Sequence, residues 1–185
     1  KQLVRDVCDF LNRDGVRAFA LHGDMEQRDR ERVLIQFKQL SCLILVATDV
    51  AARGLDIEDL PAVINFELPR DSEVYVHRIG RTGRSGKSGT AISLITDAEM
   101  FKLKGIGERL ENTPKIEAIE QVPDDDRGLP VPAYVTLLIQ GGRRDKLRPG
   151  DILGALTGDG GIKGDSVGKI TVTDNTSYVA IERTQ

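Results

Sequence analysis

Apolar residues Leu3, Val7 and Leu11 recur at helical spacing, and residues 12–15 end the helix they predict. Residues 16–21 read as a strand. Asp24 then opens a charged helix whose apolar positions are Val33, Leu34 and Phe37. Residues 43–47 form a short continuous apolar run, the pattern of a strand buried on both faces. Residues 63–68 and 91–95 predict two further strands, with a basic helix between them. Strand and helix alternating at this spacing predict an α/β domain over residues 1–118, built on a doubly wound parallel sheet. Ligands of such sheets sit at the carboxyl ends of strands, and Thr48 and Asp49 directly follow the 43–47 run. The chain opens inside a helix without an N-cap.

The pattern changes after residue 118. Residues 119–132 carry three prolines and three consecutive aspartates, a linker composition. A strand over 134–139, a glycine-rich basic turn, a helix through Leu156 and strands near 169–172 and 178–181 follow. That order is the front of a smaller α+β domain of RRM type over residues 133–185. The helix and fourth strand that would complete it are not in the sequence.

The segment YVHRIGRTGR places His77, Arg81 and Arg84 at i, i+4 and i+7, one stripe of a helix end. A lone arginine there reads as a solvated charge favouring the helix dipole. Three potential cations on one stripe, with Gly80 and Gly83 thinning the backbone, read instead as a phosphate clamp.

HRIGRTGR resembles the last helicase signature of the DEAD-box RNA helicases. ATDVAARGLD (residues 47–56) resembles the preceding signature, and LHGDMEQRDR (residues 21–30) an earlier RNA-contacting one. The three stand in the family's order over the first two-thirds of the chain, which is far more specific than any one of them. The resemblance implies a RecA-like second helicase domain whose first strand would precede the helix on which the chain opens. It implies that Arg81 and Arg84 are arginine fingers reaching ATP and Mg2+ held mainly by a first RecA-like domain, absent here. Asp56 would accept a hydrogen bond from the ribose, with Gly54 allowing close approach. His77 would link the nucleotide site to the acid pair and the RNA. Gly23, Gln27, Arg30, Thr48 and Asp49 match positions near the RNA backbone, although a solvated charged helix around Arg28, Asp29, Glu31 and Arg32 is the plainer account of each alone.

The segment PAYVTLLIQGGRRDKLRPGDILGALTGDGGIKGDSVGKI resembles the RNA-binding domain of the DbpA-type helicases, which act on a hairpin of bacterial large-subunit ribosomal RNA. RRM-type sheets stack bases on aromatics of their central strands. Here Tyr178 stands on the third strand, Thr176 occupies a place where another aromatic is expected, and the first strand has no interior aromatic. The alternative surface is Arg143, Arg144, Lys146 and Arg148, interrupted only by Asp145 among charged residues and leading into a helix whose N-terminus favours phosphate.

Composition narrows this little. Net charge is −3 over 185 residues, so RNA contact must come from local patches rather than from overall charge. Residues 133–185 hold 7 Lys+Arg against 6 Asp+Glu, and the remainder is acidic, which makes the positive charge local. Cys8 and Cys42 lack zinc or disulfide spacing. No signal peptide or long apolar span is visible, so the expected location is the cytoplasm and no membrane partner is expected. Gly86-Lys87-Ser88 ends like a phosphate-binding loop, but Arg81 stands where its first glycine belongs and the segment follows a helix. With no phosphate loop and no acid quartet, this chain alone is not expected to hydrolyse ATP. The sequence thus predicts the C-terminal part of an ATP-dependent RNA helicase serving ribosome assembly. An RNA tether without ATPase activity and a related DNA helicase are the alternatives.

Overall fold

The computed structural model describes residues 1–52, 57, 59–83, 86, 88–110, 115–118 and 128–184. Its elements are α1 (Gln2–Arg13), β1 (Ala18–Leu21), α2 (Gln27–Lys38), β2 (Ile44–Ala47), α3 (Asp49–Ala52), β3 (Ala62–Asn65), α4 (Ser72–Ile79), β4 (Thr90–Ser93), α5 (Met100–Leu110), β5 (Tyr134–Ile139), α6 (Pro149–Thr157), β6 (Val167–Val172) and β7 (Ser177–Glu182). β1 pairs with β2 and β3 with β4, both parallel, as alternating strands and helices require. The last three strands form an antiparallel sheet in the order β5-β7-β6. Lys1–Ala52 together with Arg127–Gln185 make one compact unit, and Arg53–Asp126 a second.

In the first unit α1 buries Val4 and Cys8, while Leu3 is exposed and Val7 and Leu11 are half-buried. The expected Leu3–Val7–Leu11 stripe is therefore one position out. Hydrogen bonds set the rotation. Asn12 Nδ2 donates to the carbonyls of Cys8 (2.7 Å) and Ala18 (2.9 Å), and Cys8 Sγ donates to Ala18 O (3.3 Å). These turn the row 4-8-12 toward β1. Gly15, at φ +83°, closes the helix in the left-handed region, and Leu129 Cδ1 lies 3.2 Å from where a side chain there would begin. β2 does not meet the expectation of burial on both faces: Ile44, Leu45 and Val46 are half-buried and Ala47 is exposed.

α2 ends in an unusual turn. Leu40 takes φ 55° without being glycine, while Gln39 N–H donates to Ile35 O (2.9 Å) and Ser41 N–H to Gln36 O (3.0 Å). A left-handed L-residue costs about 1–2 kcal/mol. The turn holds Gln39 and Ser41 on either side of Leu40, 2% and 1% exposed respectively.

α6 covers one face of the antiparallel sheet, where Ile152 packs on Val179 and Ile181. Each such burial contributes about 1.5–3 kcal/mol. Alternation sends Tyr178 and Ala180 to the opposite face, beside their register partners Leu138 and Thr136. Both are nonetheless buried, at 5% and 1% exposed.

In the second unit Leu68, Tyr75 and Ile106 form the core, with Ile79 and Leu103 packed against them, so α4 and α5 are held together. The Asp71 carboxylate accepts the Glu73 N–H (2.8 Å) and caps α4. Ile64 and Ile92, on β3 and β4, are exposed, unlike the doubly covered strands the pattern predicts. Each strand spans only four residues; Asn65 is buried and Ser93 Oγ donates to Tyr75 Oη (3.3 Å), whereas Ile64 and Ile92 do not join the core of Leu68, Tyr75 and Ile106.

Candidate functional site

The predicted RNA contacts of the first unit gather at one end of the β1–β2 ladder. Leu21 pairs with Ala47, and Thr48 N–H donates to Leu21 O (3.1 Å), so Gly23 and the Thr48–Asp49 pair follow adjacent strand ends. Thr48 Oγ1 accepts from Ala51 N–H (3.4 Å) and starts α3. Gln27 and Arg30 both lie in the first turn of α2, Gln27 exposed and Arg30 half-buried. The helix begins three residues later than Asp24. The Asp24 carboxylate is paired with Lys1 and Arg5, and its pKa is lowered chiefly by the hydrogen bond from Lys1.

Two buried polar atoms lack a partner among the described residues, and both belong to this end of the unit: His22 Nδ1 and Arg30 Nε. His22 is 6% exposed, and its Nε2 accepts from Arg5 Nε (3.1 Å). Buried donors left unmade are costly, which is why such atoms point to an external partner. His22 is not among the residues that the sequence singles out.

The clamp stripe needs correction. α4 stops at Ile79 with Gly80 as its C-cap, so His77 is helical and Arg81 lies in a turn. Thr82 makes a parallel bridge with Leu60, and Leu60 N–H donates to Arg81 O (3.0 Å); this pairing pulls the chain out of the helix. Gly83, at φ +66°, follows at once. Arg81 is half-buried and its backbone is pinned on both sides, since its N–H also donates to Arg78 O (3.2 Å). His77 is exposed. Arg84, Gly54 and Asp56 lie outside the described residues. Arg78, unremarked in the sequence, is a brace: its guanidinium donates to Asn65 Oδ1 (3.1 Å) and Glu67 O (2.8 Å). It ties α4 to the end of β3.

Arg143, Arg144, Lys146 and Arg148 are all exposed on the β5–α6 loop. The loop is rigidly held. Arg143 N–H donates to Thr173 O (2.9 Å) and Arg144 N–H to Asp174 O (3.0 Å), while the Asp145 carboxylate accepts from Gly142 N–H (2.9 Å). Lys146 turns through φ 61°. The helix end itself is a weaker phosphate seat than the sequence suggests. Pro149 has no N–H, and the Asp151 carboxylate already accepts from Arg148 N–H (2.8 Å). Attraction for an anion therefore rests on the side chains. Gly142 has no room for a side chain, since a Cβ would stand 2.5 Å from Thr173 O and Asp174 O. Gly142→Ala is expected to lower stability by about 2–3 kcal/mol and to weaken RNA binding with it. A melting shift equivalent to less than about 0.5 kcal/mol would show that the loop relaxes freely.

Tyr178 is not available for stacking in this arrangement, because its face of the sheet is covered. Tyr134, at the start of β5, shares that face and was missed; its ring lies against the Gly168 backbone, 3.0 Å from the Cβ position there. Both cysteines are buried thiols, and burial raises both pKa values, so they are poor nucleophiles. Among the described residues no cluster could hold a metal ion, and no helix is long and apolar enough to cross a membrane.

Residues 1–86 match the family described as helicase conserved C-terminal domain, and residues 136–185 the DbpA RNA binding domain. The class so defined is a helicase C-terminal domain joined to an RNA-binding domain. The ATP-dependent RNA helicase DbpA of Escherichia coli (strain K12) is 49% identical over 99% of this chain and 40% of that protein. The protein of the same name from Bacillus subtilis (strain 168) is 36% identical over 98% of this chain and 42% of its own length. The chain thus spans about two fifths of these relatives. Among solved structures, the E. coli DEAD-box protein SrmB bound to regulator of ribonuclease activity A is 39% identical, with TM-score 0.60 over 64% of this chain and 69% of that one. A DEAD box protein from the hyperthermophile Methanococcus jannaschii is 46% identical, with TM-score 0.57 over 60% of this chain and 31% of that one. The chain belongs to the DEAD-box family, as a C-terminal part of a helicase of the DbpA type.

Proposed function

We propose that this chain is the RNA-recognising and finger-bearing part of an ATP-dependent RNA helicase acting on large-subunit ribosomal RNA during ribosome assembly in the cytoplasm. In this reading residues 1–118 are the second RecA-like domain, 119–132 a linker and 133–185 the RNA-binding domain. ATP with Mg2+ is held mainly by a first RecA-like domain outside the chain. Arg81 and Arg84 stabilise charge on the transferred phosphate across the cleft. Asp56 accepts from the ribose, beside Gly54, and His77 couples nucleotide to RNA. Gly23, Gln27, Arg30, Thr48 and Asp49 bind the RNA backbone, which positions the strand without reading it.

The observation that carries the RNA reading is the braced loop presenting four exposed cations, together with two orphaned buried donors beside the Gln27–Arg30 turn. The test is to compare the 185-residue chain with the full-length protein. The chain alone is expected to show no ATP turnover. The full-length protein is expected to bind a ribosomal RNA hairpin, to turn over ATP and to be stimulated by that hairpin more than by a scrambled one. ATP hydrolysis by the chain alone at a rate near that of the full-length protein would overturn the assignment.

A further inference from the structure

We infer that the outer face of the β5–β7–β6 sheet is a docking face for the turn at the end of α2, with Gln39 as the latch, and that RNA is bound with this face closed. The inference deepens the proposed RNA-binding role of the C-terminal domain and rests on it for the second half only. Gln39 lies 130 residues before Lys169 in the chain, yet its Nε2 donates to Lys169 O (3.0 Å) and Tyr178 O (3.2 Å). Its Oε1 accepts from Thr136 Oγ1 (2.8 Å). Thr136 has one hydroxyl proton and gives it to Gln39, so the 2.5 Å contact between Ser41 and Thr136 must use the Ser41 proton. One buried amide therefore joins all three strands of the sheet to the turn.

Three features mark this as a built site. Gln39 and Ser41 are almost wholly buried although they belong to a turn, where side chains ordinarily face water. Leu40 between them keeps a left-handed conformation that its side chain disfavours, and such strain persists only where the surroundings require it. The sheet residues they meet, Thr136 and Tyr178, occupy the face opposite α6, which an RRM-type sheet offers to bases. A base cannot stack on Tyr178 while that residue is 5% exposed. The basic loop, by contrast, remains exposed with the latch made.

The test uses the full-length protein with spin labels at Glu31→Cys and Asp159→Cys, both exposed positions. The unmutated latch is expected to give one narrow distance distribution. Gln39→Leu keeps bulk but removes the amide, and Thr136→Val keeps shape but removes the hydroxyl; each is expected to broaden it. Circular dichroism melting checks that both variants fold, and the pair guards against a defect peculiar to α2. Affinity for a ribosomal hairpin is expected to stay within about threefold of wild type in both, because the basic loop is untouched. A narrow distribution in both variants would overturn the latch. A gain of tenfold or more in RNA affinity, abolished by adding Tyr178→Ala, would overturn the closed-face part and make the contact a mask over an RNA site. Failure of the unmutated protein to bind the hairpin would instead refute the RNA role itself, with the distances still deciding the latch.

Discussion

Replacing Arg81 by alanine in the full-length protein is expected to slow RNA-stimulated ATP hydrolysis about 10³-fold, the low end of what an arginine finger contributes. The same loss is expected for Arg84→Ala. Affinity for ATP should change far less, because a finger acts on charge that develops in the transition state and, in the proposed reading, most ground-state contacts belong to the other domain. The geometry around Arg81 supports a rigid presentation. Its carbonyl is held by Leu60 and its N–H by Arg78, so the side chain leaves from a fixed backbone rather than from a fraying helix end. Arg78→Ala is the informative control. That guanidinium holds Asn65 and Glu67, so its loss should appear in the melting temperature before it appears in turnover. Single-turnover hydrolysis separates the two. An Arg81 or Arg84 alanine variant keeping more than a third of wild-type turnover would remove that residue from the catalytic role.

Changing Arg143, Arg144, Lys146 and Arg148 together to glutamine is expected to weaken hairpin binding on the order of 10²-fold near physiological salt and to flatten the salt dependence. Four phosphate contacts would each contribute about 0.7 to 0.9 to the slope of log affinity against log salt. Arg143 also faces the Asp174 carboxylate at 3.8 Å, which competes for it, so a change of roughly 2 to 3 is expected. Tyr178→Ala should cost less RNA affinity than the charge swap and more stability, since the ring is buried. Titrations at several salt concentrations decide the matter. A glutamine variant that keeps the wild-type slope while Tyr178→Ala loses more binding would place the RNA on the sheet.

Much of this was legible in the chain. The strands and the helices α1, α2, α4 and α6 appear in the order that hydrophobic period predicts, because parallel ladders and amphipathic helices impose distinct repeats that survive in the sequence, whereas α3 and α5 were not predicted. The basic run at 143–148 was visible as charge and is exposed in the fold. The failures share one cause. The His77–Arg81–Arg84 stripe assumed a helix that the Leu60–Thr82 bridge ends early, and that bridge joins residues 22 apart. The α1 stripe was misplaced by one position because Asn12 bonds to Ala18, a partner its own periodicity cannot register.

The sequence by itself determined the family, the order of elements, the residue types available for phosphate and the local nature of the positive charge. These follow from near neighbours and from motifs whose spacing is carried in the chain. Only the tertiary structure decided that Tyr178 is covered, that Gln39 and Ser41 are buried, and that Arg78 is a brace while Arg81 stands in a turn. Each depends on a hydrogen bond between residues far apart in sequence, and a donor does not reveal in its own neighbourhood which distant carbonyl it will meet.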